Sequence, residues 1–103
     1  MTMDYWEARS RRLLGRIAAD TGDAGTAREH WLAALSTFED AGASRDALTT
    51  ARYLVDACRG ECQDDQTAEH LRRAEALLAD APDSVADQHR VWVEEQRAAL
   101  EAD

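Results

Sequence analysis

Lysine and asparagine are absent from this chain of 103 residues, and proline, isoleucine and phenylalanine occur once each. With no lysine, all twelve basic residues are arginine, set against 21 acids for a net charge of −9. A free-standing nucleic-acid binder needs a basic face to neutralise phosphates, so no DNA or RNA partner is expected. No apolar run approaches the ~18 residues that a membrane-spanning helix requires, so no membrane partner is expected either. No signal-peptide pattern is read at the start, and the expected location is cytoplasmic. Two cysteines make no disulfide framework. The missing lysine and asparagine are what a GC-rich genome writes. The acidic excess also suits a high-salt cytoplasm, where screening tames self-repulsion. The source expected from composition is therefore a halophile or another high-GC microbe.

Large apolar residues are scarce too. Leu, Ile, Val and Phe together number 16, as lean as a disordered chain, while Ala supplies 21 of the 46 hydrophobic residues. The pattern overrides that prior, because the alanines recur at helical spacing, where they let helices approach closely.

Periodicity and punctuation give five helical segments and no strand-like alternation. The first runs from about Asp4 to Asp20 and stops at Thr21-Gly22-Asp23; the second runs from about Ala24 to Asp40 and stops at Gly42. The third follows Ser44, read as a cap, and ends near Arg59-Gly60. The fourth follows Asp64-Asp65 and ends at Ala81-Pro82. The fifth opens with Asp83-Ser84, where Ser84 and Asp87 have capping-box spacing.

In the second segment Ala27, Trp31, Ala34, Leu35 and Phe38 fall on one face. The fourth repeats this with Thr67, Leu71, Ala74 and Leu78, and the third with Ala47, Ala51, Leu54 and Cys58. On the first, Ser10, Leu14, Ile17 and Ala18 share a face expected to be the buried one. On the fifth, Val85, Trp92, Gln96 and Ala99 are expected to cover the last hairpin. Short connections make successive helices antiparallel neighbours.

Glu29-His30-Trp31 and Ala34 match Glu69-His70-Leu71 and Ala74 at an offset of 40, which suggests two stacked hairpins and a closing helix. Leu14-Gly15, Ala18, Gly22-Asp23, Ala27, Trp31, Ala34 and Leu35 carry a further likeness: over about residues 8 to 41 the chain resembles a tetratricopeptide repeat. Gly15 and Ala27 let two helices touch, and Trp31 and Leu35 fill the space beside them. Arg11 replaces the family's early aromatic, and Glu39 stands where its terminal proline falls. Over 48 to 81 the period stretches from 34 to 40 and Val55 replaces the packing glycine. The resemblance implies one all-α domain over 1–103: a hairpin at about 4–41, a second at about 44–81, and a capping helix at about 84–102.

Chemistry-bearing constellations are sparse. There is no Gly-rich phosphate loop, no Gly-x-Ser-x-Gly elbow, and no Glu-x-x-His pair for a di-iron site. No catalytic residue and no cofactor are assigned. Cys58, Cys62 and His70, with His30 nearby on the neighbouring hairpin, are the candidate metal ligands. The competing reading makes Cys58 a small core residue and Cys62 a loop residue.

The arginines say more. Tyr5, Arg9, Arg12 and Arg16 share one line on the first helix, and Arg45, Arg52 and Arg59 share one on the third. The resemblance implies that these two helices line a concave groove, so both stripes would face a ligand there. Segments 4–20 and 44–59 hold seven arginines against five acids, the reverse of the whole chain. Tyr5, Arg9, Arg12, Arg16, Arg52 and Arg59 are therefore the candidate partner-binding residues, suited to an acidic protein segment. The bland alternative is a solvated face with local ion pairs such as Arg16–Asp20 and Arg52–Asp56. The family's carboxylate clamp of Lys and Asn with Arg cannot be built from this composition. A second expectation, of a different class, is a homodimer through the fifth helix, using Val91, Val93 and Leu100 around Trp92.

Overall fold

The computed structural model describes residues 4–61 and 64–102. They form α1 (Tyr5–Asp20), α2 (Ala24–Asp40), α3 (Ser44–Glu61), α4 (Asp64–Asp80) and α5 (Asp83–Glu101), with no strand among them. The helix boundaries read from punctuation are met to within one or two residues, because the signals that set them are local. Asp4 caps α1 by accepting from the Glu7 N–H at 2.8 Å, and Asp23 caps α2 from the Thr26 N–H at 3.2 Å.

Gly22 and Gly42 end α1 and α2 at φ of +86° and +69°, a region closed to most L side chains. Each supports the same closure. Asp23 N–H reaches back to Ala18 C=O at 2.8 Å, and Ala43 N–H to Phe38 C=O at 2.9 Å, satisfying carbonyls that the helix end leaves free.

Two caps differ from expectation. Ser44 is the first residue of α3, and the Ala43 carbonyl accepts the first turn's N–H from Ala47 at 2.9 Å. At α5 the N-cap is Pro82, with no side-chain bond. Its φ of −57° and ψ of 150° start the helix one residue before Ser84, so Asp87 pairs with Arg90 rather than closing a capping box.

Tertiary contacts arrange the helices in two layers. The Tyr5 ring lies edge-on to Phe38 at 5.7 Å, and Gly15 sits under Trp31, so the start of α1 meets the end of α2 and the pair is antiparallel. Tyr5 and Arg12 meet Asp46, Arg16 meets Tyr53, Arg52 meets Trp92 and Arg59 meets Gln96. These contacts run in one direction, so α1, α3 and α5 lie parallel in one layer. In the other, Glu39 of α2 pairs with Arg73 of α4. The 20 Å short dimension is two helices thick.

The middle helix α3 is the most deeply covered, with Ala47, Leu48, Thr50, Ala51, Leu54, Val55 and Cys58 all fully buried. The α2 face is buried as expected at all five positions, as are Thr67, Leu71 and Ala74 of α4; Leu78 is half-buried. Fully buried alanines at 8, 27, 34, 47, 51 and 74 stand where helices cross, which is how so lean a chain closes a core. Burial of Phe38, Leu35, Leu48, Leu54 and Leu71 stabilises by about 1.5–3 kcal/mol each.

The expected buried face of α1 is wrong. Ala8 and Gly15 face inward, while Ser10, Leu14 and Ile17 are exposed and Ala18 is half-buried. The reason is steric: α2 presents the Trp31 ring, which fits only over the side of α1 that has no Cβ. On α5, Val85, Trp92 and Gln96 turn inward as expected, joined by Ala86, His89 and Val93, while Ala99 faces outward.

His89 and half-buried His70 carry a pH consequence. Burial, with Arg52 close by, holds His89 below its ordinary pKa of 6.5. Burial, then Arg73 and Arg28, outweigh Glu69 and do the same at His70. The unfolded chain therefore binds these protons first, and stability falls as pH drops below 6.5 and on through the depressed folded values. Urea midpoints measured between pH 7.5 and 5 are expected to decline, and His89→Leu to flatten part of that decline; an unchanged slope in the variant would count against the assignment.

Candidate functional site

The odd-numbered helices bring the predicted arginine stripes onto one surface, but the individual residues divide into two groups. In the first, the side chains are engaged within the fold. Tyr5 Oη donates to Asp46 Oδ2 at 2.5 Å, and Arg12 Nη1 donates to Asp46 Oδ1 at 2.9 Å. The Arg12 guanidinium also stacks over Phe38, 5.3 Å from its centroid. Asp46 is therefore the joint between α1 and α3. Its partial burial raises the carboxyl pKa, but the bonds from Tyr5 and Arg12 outweigh that and hold it below its ordinary 3.8. The same hydrogen bond to Asp46 raises the Tyr5 phenol.

Farther along, Arg52 lies over the Trp92 ring at 5.1 Å, and Arg59 Nη1 donates to Gln96 Oε1 at 3.0 Å. These two tie α3 to α5. A cation over an aromatic face at such partly exposed sites contributes about 0.5–1 kcal/mol. Neither of the local pairs offered as the bland reading, Arg16–Asp20 or Arg52–Asp56, is formed among the described residues; Arg16 stacks on Tyr53 at 5.8 Å instead.

In the second group, Arg9, Arg16 and Arg45 are exposed, and none is in an ion pair among the described residues. Arg9 leans on the Trp6 ring at 5.4 Å. Beside Arg9 and Arg16 lies a shallow depression of about 480 Å³ lined by Trp6, Arg9, Ser10, Arg12, Leu13 and Arg16. A second, of about 380 Å³, opens on the other side of Trp6 and Ser10, toward Arg11 and Leu14. The outer face of α1 is thus apolar along its middle and basic along its edges.

Sequence reasoning missed this surface and the role of Asp46. The signal for the first was present: Trp6, Ser10, Leu13 and Ile17 recur at spacings of four, three and four, opposite Ala8 and Gly15. For Asp46 there was no local signal, because an acid in the first turn of a helix is ordinary.

Among the described residues the candidate metal ligands are not assembled. Cys58 is buried and disulfide-bonded, so its sulfur is no thiolate ligand; Cys62 lies outside the described residues. Among the described residues no three of His, Cys, Asp and Glu converge. His30 lies at the α1–α2 edge, with its Nδ1 3.5 Å from Arg11 Nη1, and His70 is on α4. The expected dimer surface on α5 is also changed. Trp92 and Val93 are buried and Leu100 half-buried, leaving Val91, 63% exposed, as the one large outward residue among those described on this helix. No helix among the described residues is long and apolar enough to cross a membrane.

Comparison with protein-family models, curated proteins and solved structures finds no match to this chain.

Proposed function

We propose that this chain is a non-catalytic protein-interaction module of tetratricopeptide-like build, which holds an acidic segment of a partner protein against α1 and α3. The observation that carries the reading is that Arg9 and Arg16, exposed and in no ion pair among the described residues, line the Trp6–Leu13 depression, with Arg45 of α3 also exposed and in no ion pair among them, in a chain whose net charge is −9. Elsewhere an acidic ligand meets repulsion; here it meets guanidinium groups with free donors and an apolar floor. Tyr5, Arg12, Arg52 and Arg59 serve as the frame that sets the spacing of the helices, a role that differs from direct contact with the ligand.

The test is fluorescence anisotropy with a labelled peptide rich in Glu, Asp and Leu, alongside a lysine-rich control. The acidic peptide is expected to bind and the control not to. Arg9→Glu, Arg16→Glu and Arg45→Glu together are expected to weaken binding by about 10- to 100-fold, at roughly 0.5–1 kcal/mol per exposed charge. Helicity should be unchanged, because none of the three is engaged in an ion pair among the described residues. Equal affinity for both peptides, or an unaffected triple variant, would overturn the reading.

A further inference from the structure

The two end helices of the array differ in what they expose. The outer face of α1 is large and apolar: Trp6 is 68% exposed, Leu13 55%, Ile17 52% and Leu14 47%. Within 5–20 there are four arginines against two acids. The outer face of α5 is small and acidic. Val91, Ala98 and Ala102 are exposed along one line, with Asp87, Glu94, Glu95 and Glu101 beside it, and 83–101 holds five acids against two arginines. Both of those arginines are already engaged, Arg90 with Asp87 and Arg97 with Glu75, whereas Glu94 and Glu95 are in no ion pair among the described residues.

From this complementarity we infer that α1 of one copy docks on α5 of a second copy, extending the helical stack head to tail. The Trp6–Ser10–Leu13–Ile17 ridge has the spacing of a helix–helix seam, and shallow depressions lie on both sides of Trp6. The small Ala98 and Ala102 beside Val91 leave room for a ridge of large side chains. Arg9 and Arg16, seven residues apart on one edge of α1, then stand against Glu94 and Glu101, seven apart on one edge of α5 and in no ion pair among the described residues. An α1–α1 pairing in the antiparallel sense sets Arg9 and Arg16 against the same arginines of the second copy, which like-charge repulsion disfavours. An α5–α5 pairing sets acid against acid, with little large apolar surface beyond Val91. Unlike surfaces make a heterologous contact, so the association is open-ended unless its rotation closes a ring. The inference does not rest on the acidic-segment reading, although Arg9 and Arg16 border both surfaces.

Two blocked variants test it. Trp6→Glu with Leu13→Glu disables the α1 face, and Val91→Arg with Glu94→Arg disables the α5 face; all four positions are exposed, so circular dichroism should match the parent. Light scattering of the parent chain is expected to show an average mass that rises with concentration and falls with added salt. Each variant alone is expected to stay monomeric, and an equimolar mixture to give a heterodimer of twice the monomer mass. A second arm exchanges the charges: Arg9→Glu with Arg16→Glu abolishes association, and mixing with Glu94→Arg and Glu101→Arg restores it. A parent that stays monomeric to millimolar concentration, an α5-blocked variant that self-associates, or a mixture that forms no heterodimer each overturns the proposal.

Discussion

Gly15→Val is expected to destabilise the fold by about 2–3 kcal/mol, the cost of forcing extra atoms into a filled contact. A Cβ built at Gly15 falls 2.4 Å from Trp31 Nε1, 2.7 Å from Cδ1 and 2.9 Å from Cε2. These are atoms of a rigid ring that is only 4% exposed, so the ring must move as a whole. Moving it also breaks the bond from Trp31 Nε1 to the Arg12 carbonyl at 3.1 Å. For a domain of this size each kcal/mol lowers the melting temperature by about 4–8 °C. Gly15→Ala is expected to lose stability too, even though alanine favours a helix by about 1 kcal/mol over glycine. Gly25 is the control: a Cβ there meets nothing closer than Asp23 Oδ1 at 4.0 Å, so Gly25→Ala should not destabilise. Thermal melts of the three variants check this, and a Gly15→Val melt matching the parent would refute the notch.

Asp46→Ala is expected to cost about 2–4 kcal/mol, and its effect reaches beyond one residue. Removing the carboxylate leaves the Arg12 guanidinium, 17% exposed, without its counter-charge, and the Tyr5 hydroxyl without its acceptor. The sign with pH follows from the lowered carboxyl. A group whose folded pKa lies below its unfolded value stabilises fully above about 3.8, and that share is lost as pH falls through the folded value. The parent should therefore lose the Asp46 contribution only in strong acid, below the histidine range, while Asp46→Ala lacks it at every pH. Chemical denaturation at pH 7 and pH 3 distinguishes the two. A parent–variant gap of equal size at both would mean that Asp46 acts by packing and not by charge.

Gly15 and Asp46 both act at contacts between helices, and there the reach of the sequence is shortest. The pairing of Gly15 with Trp31 is legible in the residues: a glycine inside a helix costs stability unless a neighbour needs the space, and Trp31 stands at the spacing to use it. The spacing alone does not turn that pairing into an inward face for α1. Leu14 and Ile17 read as core because large apolar residues are the usual inward choice. They are displaced outward because the notch and the small Ala8 occupy the contact side. The arginine stripes are legible as stripes, but their employment is not. Arg12 finds Asp46 across a separation of 34 residues and Arg59 finds Gln96 across 37, distances at which no periodicity in one helix speaks for another.

By itself the sequence determined the number of helices, where they begin and end, and the buried face of α2, α3 and most of α4. These depend on bonds and side-chain spacing within a few residues: Asp4 and Asp23 at the caps, Gly22 and Gly42 at the turns, alanines at helical period. Tertiary structure alone decided which arginines hold the layer of odd-numbered helices together and which stay exposed at its edge. It also decided that α1 turns Trp6, Leu13 and Ile17 outward. The physical reason is that α1 carries two helix-compatible faces, one small and one large. Only the shape of α2, with the Trp31 ring standing where a side chain would clash, selects the small one.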